Sequence, residues 1–159
     1  MEKSLLGTTI VTQIGIVVRD IEQVSRDYAS FLGVDVPPIG ITDEYETSKA
    51  VYLGNPTHAQ AKQAFFEVGP NVQIELLEPV GTPSAWADYL AEKGEGVHHI
   101  AFHVKDMEKS ILGCQEKGFS LIQSGNWATG SYSYMNTSSK LKVITELLAF
   151  HSEVPDTIS

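Results

Sequence analysis

Gly96-Val97-His98-His99-Ile100-Ala101-Phe102-His103-Val104-Lys105-Asp106 alternates in character as a β-strand does and ends on an aspartate suited to cap a helix. Read as a strand, it puts His99, Ala101 and His103 on one face and His98, Ile100, Phe102 and Val104 on the other. Three of the five histidines of the chain fall in this stretch.

A second version of the same sentence lies upstream. Gln13-Ile14-Gly15-Ile16-Val17-Val18-Arg19-Asp20-Ile21-Glu22 matches His99 to Glu108 at a constant offset of 86 residues, with isoleucine, valine, the base–acid pair and glutamate in register. Ile74-Glu75-Leu76-Leu77 and Thr145-Glu146-Leu147-Leu148 repeat at an offset of 71, which makes the chain two copies of one unit, the first longer by 15 residues. The repeat makes Gln13 equivalent to His99 and Glu75 equivalent to Glu146, and all four can coordinate a metal. Both glutamates sit in otherwise apolar strands, where a lone ionised carboxylate costs several kcal/mol in desolvation, so a cation is expected beside them.

Composition bounds the rest. A chain of 159 residues holds one domain with a real core, or two small modules sharing one. The net charge of −9 and the scattered basic residues argue against nucleic-acid binding. One cysteine, Cys114, excludes an internal disulfide framework and is expected in the core. Without a signal-like N-terminus or an 18-residue apolar run, a cytoplasmic protein with no membrane span is expected.

The first unit, placed at 9–80, opens with a strand at 10–18. A helix follows, capped by Asp20, carrying Ile21, Val24, Tyr28, Phe31 and Leu32 on its apolar face and stopped at Gly33. Residues 41–62 are an insertion without counterpart in the second unit, read either as a lid or pocket wall or as a plain loop. Strands are expected at 63–68 and 72–78. A linker region, 81–94, carries a helix at 83–93 with Thr82 as cap and Pro83 in its first turn. The second unit, 95–150, reads as strand 97–104, helix 107–117 and strands near 119–124, 131–136 and 142–149, followed by a loose polar tail, 151–159. Each unit is thus β-α followed by further strands, without the regular alternation of a doubly wound sheet. The fold class expected is α+β: two tandem βαβββ units whose mixed or antiparallel sheets form one concave, barrel-like site.

These paired units and their strings, Gln13 to Glu22, Ile74 to Pro79, His98 to Phe102 and Thr145 to Leu148, resemble the vicinal oxygen chelate superfamily. That superfamily takes in glyoxalase I, methylmalonyl-CoA epimerase, extradiol dioxygenases and antibiotic-resistance proteins. The resemblance covers residues 10–150 and implies a metal site of Gln13, Glu75, His99 and Glu146. His98, on the opposite face, is expected to pack or hydrogen-bond behind it. A glutamine at position 13, where the dioxygenases carry a histidine, speaks against oxygen activation.

The pattern Gln, Glu, His, Glu resembles zinc-using glyoxalases, whereas the wording around Ile74-Glu75 and His98-His99 resembles epimerases. The glutamate that epimerases carry on the strand before the second ligand falls at Ala64 in an ungapped alignment, with Glu67 three positions on. Both relatives remove a proton next to a carbonyl and hold the enolate on a divalent metal, here Zn²⁺, Co²⁺, Ni²⁺ or Mn²⁺ by the donor set. The resemblance therefore implies a metal-dependent isomerase or lyase, foremost an epimerase like that for methylmalonyl-CoA, alternatively a lactoylglutathione lyase, with a non-catalytic binding protein as the contrasting class. Glu146 is the base expected and Glu75 the second. The substrate expected is a small thioester or thiol adduct, and the assembly expected is a homodimer. Candidate substrate contacts are His103, Tyr134 beside Tyr132, and Trp127 in a glycine-flanked loop, Gly125 to Gly130.

Overall fold

The structure, a computed structural model, describes residues 3–151, and residues 152–159 of the polar tail lie outside the described residues. In chain order the elements are β1 (Gln13–Val17), α1 (Ile21–Leu32), β2 (Gly40–Ile41), α2 (Tyr45–Ser48), β3 (Val51–Tyr52), β4 (Asn55–Pro56), β5 (Gln60–Gly69), β6 (Val72–Val80), α3 (Ala85–Lys93), β7 (Gly96–His103), α4 (Met107–Glu116), β8 (Leu121–Trp127), β9 (Gly130–Met135), α5 (Ser138–Leu141) and β10 (Ile144–Phe150). The strands form one mixed sheet in the order β2-β5-β6-β1-β7-β10-β9-β8-β3-β4, curled into a half-barrel. This is the expected α+β class. No helix among the described residues is long and apolar enough to cross a membrane.

The internal repeat is visible in the hydrogen-bond register. Parallel pairing sets Gly15 beside Glu75 in β1–β6 and Ala101 beside Glu146 in β7–β10, and the two sequence offsets carry the first pair onto the second. The halves meet through antiparallel β1 and β7, where Gln13 faces Ala101, Ile14 faces Ile100 and Gly15 faces His99. The local two-fold relation therefore passes through the Ile14–Ile100 pair, and the candidate ligands flank it.

Helices cover the other side of the sheet. Ile21 and Ala29 of α1 pack with Ala64, Phe66 and Leu76, while Cys114 of α4 packs with Val104, Met135 and Leu147. Each fully buried leucine in these clusters contributes about 1.5–3 kcal/mol. Asp20 and Asp106 cap α1 and α4 in the same way, accepting the backbone N–H three residues on at 3.0 Å.

Three local expectations are corrected. Phe31 and Leu32 do not complete the buried face of α1, being 87% and 39% exposed. The helix instead turns its small residues Ser25 and Ala29 inward, which brings its backbone close to the sheet and rotates Phe31 outward. α3 starts later than expected, because Ser84 and not Thr82 is its cap, accepting from Ala87 N–H at 3.0 Å. The Gly125–Gly130 loop is the end of β8, a two-residue turn and the start of β9. Its Gly130 is needed for space: a Cβ there would lie 2.2 Å from the Trp127 ring and 2.6 Å from the Ala149 carbonyl oxygen. Finally, β3 within the insertion pairs with β8, joining the second unit's edge strand.

Candidate metal centre

Strand alternation points Gln13 of β1, Glu75 of β6, His99 of β7 and Glu146 of β10 to one spot on the concave face. All four are buried, His99 completely. His99 Nε2 lies 2.9 Å from Glu146 Oε2 and 3.3 Å from Glu75 Oε2. The Gln13 amide meets the same atoms: one of its two terminal atoms is 3.4 Å from His99 Nε2, 2.8 Å from Glu75 Oε2 and 3.0 Å from Glu146 Oε2. With nitrogen at that position the amide donates to both carboxylates; with oxygen there, four electron-pair donors converge.

Those spacings fit a divalent ion. Ligands at 2.0–2.2 Å from a metal stand about 2.8–3.1 Å apart on one face of an octahedron and about 3.3–3.6 Å apart at tetrahedral corners. The ligand-capable atoms of Glu75, His99 and Glu146 all lie within 4.8 Å of one another. Three hard oxygens and one imidazole suit a borderline divalent metal and not a soft monovalent one. The residues present therefore fit the group.

Electrostatics agrees with a site built for a cation. Burial alone disfavours a charged His99, yet Glu146 and Glu75 outweigh it and push the imidazole up to about 10. Burial likewise raises Glu146, against the pull of His99 and a hydrogen bond from Tyr134. In the metal-free protein a proton on His99 thus balances part of the buried negative charge, and a metal would take over that role.

The surrounding shell fixes the ligands. His98 Nδ1 lies 2.9 Å from His99 Nδ1. This contact corrects the expectation of opposite faces: the β1–β7 register slips between Gly15 and Ile16, leaving His98 as the extra residue of a bulge that turns its ring toward His99. Burial, and then His99, hold His98 well below the usual imidazole value, so it stays neutral and can accept from His99 Nδ1–H, leaving Nε2 for the metal. Gln63 Nε2 donates to Glu75 Oε1 at 2.8 Å. Behind Glu146, Trp86 Nε1–H donates to the Tyr134 hydroxyl at 2.9 Å. Gln123 bridges from the Ala85 N–H at 2.8 Å to the Tyr132 hydroxyl at 2.9 Å.

The centre lies in a cavity of about 400 Å³, which Tyr134, Trp127 and His103 also line. Trp127 and His103 each pack edge-on against Phe150 toward the mouth. The insertion contributes Thr42, Asp43 and Ser48 to the wall, so it shapes the cavity and is not a detached loop.

Two features were missed from sequence. Gly15 faces His99 across the strand pair, and a Cβ at Gly15 would lie 2.0 Å from His99 Cε1, so only glycine leaves room for the imidazole. A glycine inside a strand, opposite a candidate ligand in the repeat, was the available signal. The second is Gln63. Ala64, where an ungapped alignment puts the epimerase glutamate, is fully buried against α1, and its neighbours Gln63 and Phe65 are the residues on the cavity side. Glu67 is engaged with the Gln73 amide.

Comparison with known proteins agrees with this architecture. The sequence model of the glyoxalase/bleomycin resistance protein/dioxygenase superfamily matches residues 12–134. The ethylmalonyl-CoA/methylmalonyl-CoA epimerase of Cereibacter sphaeroides is 28% identical over 123 residues, 77% of this chain and 81% of that protein. Human mitochondrial methylmalonyl-CoA epimerase is 30% identical over 108 residues, 67% of this chain but only 53% of that protein. Among solved structures, a hypothetical protein from Bacillus halodurans C-125 superposes with a TM-score of 0.62 at 28% identity, covering 88% of this chain and 93% of the other. Methylmalonyl-CoA epimerase from Mycobacterium tuberculosis superposes with a TM-score of 0.63 at 19% identity, covering 94% and 91%, a likeness of fold alone. Repeat, half-barrel and sequence match together identify the chain as a member of the glyoxalase/bleomycin resistance protein/dioxygenase superfamily, the vicinal oxygen chelate proteins.

Proposed function

We propose that the chain is a metal-dependent isomerase that removes a proton next to a carbonyl and returns it, the type of reaction implied for its epimerase relatives. The observation that carries this reading is the convergence of Gln13, Glu75, His99 and Glu146 at metal-ligand spacing in a cavity wide enough for a small molecule. A divalent ion held by these residues would supply Lewis-acid stabilisation of the oxyanion that develops as the proton leaves.

Glu146 is the base in this reading. Its carboxyl is raised by burial, which makes it a stronger base than an exposed carboxylate, and the Tyr134 hydroxyl orients it. Glu75, related to it by the repeat and held through its other oxygen by Gln63, is the second candidate base, and the proton that returns to carbon is the one the base took from it, after exchange with solvent. Proton out and proton in leave the substrate's atoms and oxidation level unchanged. His103, Trp127 and Tyr134 would contact the substrate. The ligand order Gln, Glu, His, Glu favours one second reading, a lactoylglutathione lyase of the glyoxalase I type, which shares the proton abstraction. The proposal includes a homodimer, supported by the exposed apolar residues Phe31, Val34, Val36 and Ile41 and tested by light scattering.

The reaction is tested by hydrogen exchange. Metal-loaded protein in D₂O is given methylmalonyl-CoA, the hemithioacetal of methylglyoxal and glutathione, and 2-hydroxyacetophenone, and deuterium at carbon is read by NMR. Exchange into at least one, abolished in Glu146→Gln, supports the reading; exchange into none from a metal-loaded protein overturns it.

A further inference from the structure

A second cavity, of about 310 Å³, opens behind His98 and shares no lining residue with the one that holds the metal centre. Tyr89 and Glu92 of α3 form one wall, and Ile122, Val143 and Ile144 form the other. His98, 1% exposed, lies at its inner end. The His98 Nδ1 meets His99 Nδ1 at 2.9 Å, but Nε2, at the far edge of the ring, has no hydrogen-bond partner among the described residues. A buried polar atom left unmet is costly, and this one borders open space.

The hydrogen-bond pattern fixes what that atom needs. A metal or a proton takes His99 Nε2, so the other hydrogen of that ring sits on Nδ1 and is donated to His98 Nδ1. With Nδ1 accepting, His98 carries its own hydrogen on Nε2, and the unmet group is a donor. At the rim the charges cancel, Asp88 and Glu92 against Lys93 and Lys142. Asp88 accepts from the Tyr52 hydroxyl, Lys142 Nζ donates to the Ser139 carbonyl at 2.8 Å, and Lys93 rests over the Tyr89 ring. The Glu92 carboxylate accepts no hydrogen bond among the described residues and is the acceptor left for a ligand.

We propose that this cavity is a second small-molecule site, for an uncharged secondary amide on a small aliphatic body. The carbonyl oxygen accepts from His98 Nε2–H, the amide N–H faces the Glu92 carboxylate at the rim, and the aliphatic body packs on Ile122, Val143 and Ile144. The site rests on the His98–His99 pair and the cavity alone, so it holds with or without a metal on His99.

The test uses N-butylacetamide and its near-isostere butyl acetate, which lacks the N–H. The full-length protein is titrated metal-free and zinc-loaded, with isoleucine, leucine and valine methyl groups followed by NMR. The expected result is saturable shifts of Ile122, Val143 and Ile144, none at Ile41 and Leu148 of the larger cavity, and about tenfold weaker binding of the ester. His98→Phe, which removes the donor, and Val143→Trp, which fills the cavity from its wall, are each expected to weaken amide binding by about tenfold or more, with circular dichroism unchanged. Val143→Trp carries the test where His98→Phe does not fold. No saturable shift, shifts confined to Ile41 and Leu148, an ester that binds as tightly as the amide, or folded variants that bind as the parent does would overturn the proposal. The metal-free titration reads this site directly, so failure of the metal reading leaves the test intact.

Discussion

Gly15 and His99 show how one residue's shape sets the chemistry of another. The imidazole occupies the space a side chain at position 15 would take, the would-be Cβ being 2.0 Å from Cε1. Gly15→Ala is therefore expected to displace the ring and weaken zinc or cobalt affinity by about 10–100-fold with the fold retained, read by competition titration alongside circular dichroism. Protonation gives a second handle. Because His99 is raised to about 10, it is charged at neutral pH in the metal-free protein, and metal uptake must expel that proton. Metal affinity is expected to rise about tenfold per pH unit between pH 6 and 9; a flat profile would exclude His99 as the displaced group. With chelator present the sign reverses. The protonated pair stabilises fully below the unfolded value of about 6.5 and loses its contribution as pH climbs toward 10, so the melting temperature of the metal-free protein should fall over that range. The four candidate ligands were legible in sequence because the repeat set two pairs of them in register. Gln63 was not, because an ungapped alignment cannot tell which side of a hairpin strand faces the cavity.

Elements that repeat in sequence should repeat in energy. Asp20 and Asp106 cap α1 and α4 with the same bond at 3.0 Å, so Asp20→Ala and Asp106→Ala are each expected to cost about 1 kcal/mol, measured by urea denaturation. A cost from one alone would show that the two helices are not equivalent. The start of α1 was readable for the same reason, an aspartate at a fixed place after a strand. Its packing was not: the period-3.6 pattern weights large apolar residues, and here close approach to the sheet selects Ser25 and Ala29 and leaves Phe31 in solvent. The hairpin of β8 and β9 was misread because glycines that make space for Trp127 and Tyr132 look like glycines that make a loop. The bulge at His98 leaves no trace in a period-two pattern, although it is what brings the second histidine behind the first.

At the scale of the molecule, the site exists only because the halves join. Gln13 and Glu75 come from one unit and His99 and Glu146 from the other, across the antiparallel β1–β7 seam. Fragments 1–80 and 81–159 are each expected to bind no cobalt tightly, and their mixture to regain the site where they reassociate; tight binding by either fragment alone would place the ligands elsewhere. The half-barrel was legible because both βαβββ units announce themselves through the offsets of 86 and 71 residues. The route of the insertion was not, since β3 joins the far edge of the other unit's sheet through a strand of only two residues, Val51–Tyr52.

The most direct test of the account is elemental analysis of the full-length protein, parent against the double variant Glu75→Ala/Glu146→Ala, after exposure to zinc, cobalt and nickel. Near-stoichiometric metal in the parent and none in a folded variant is the expected result. A parent that takes up none of the three, or a variant that retains the metal, would contradict a centre built from these four side chains.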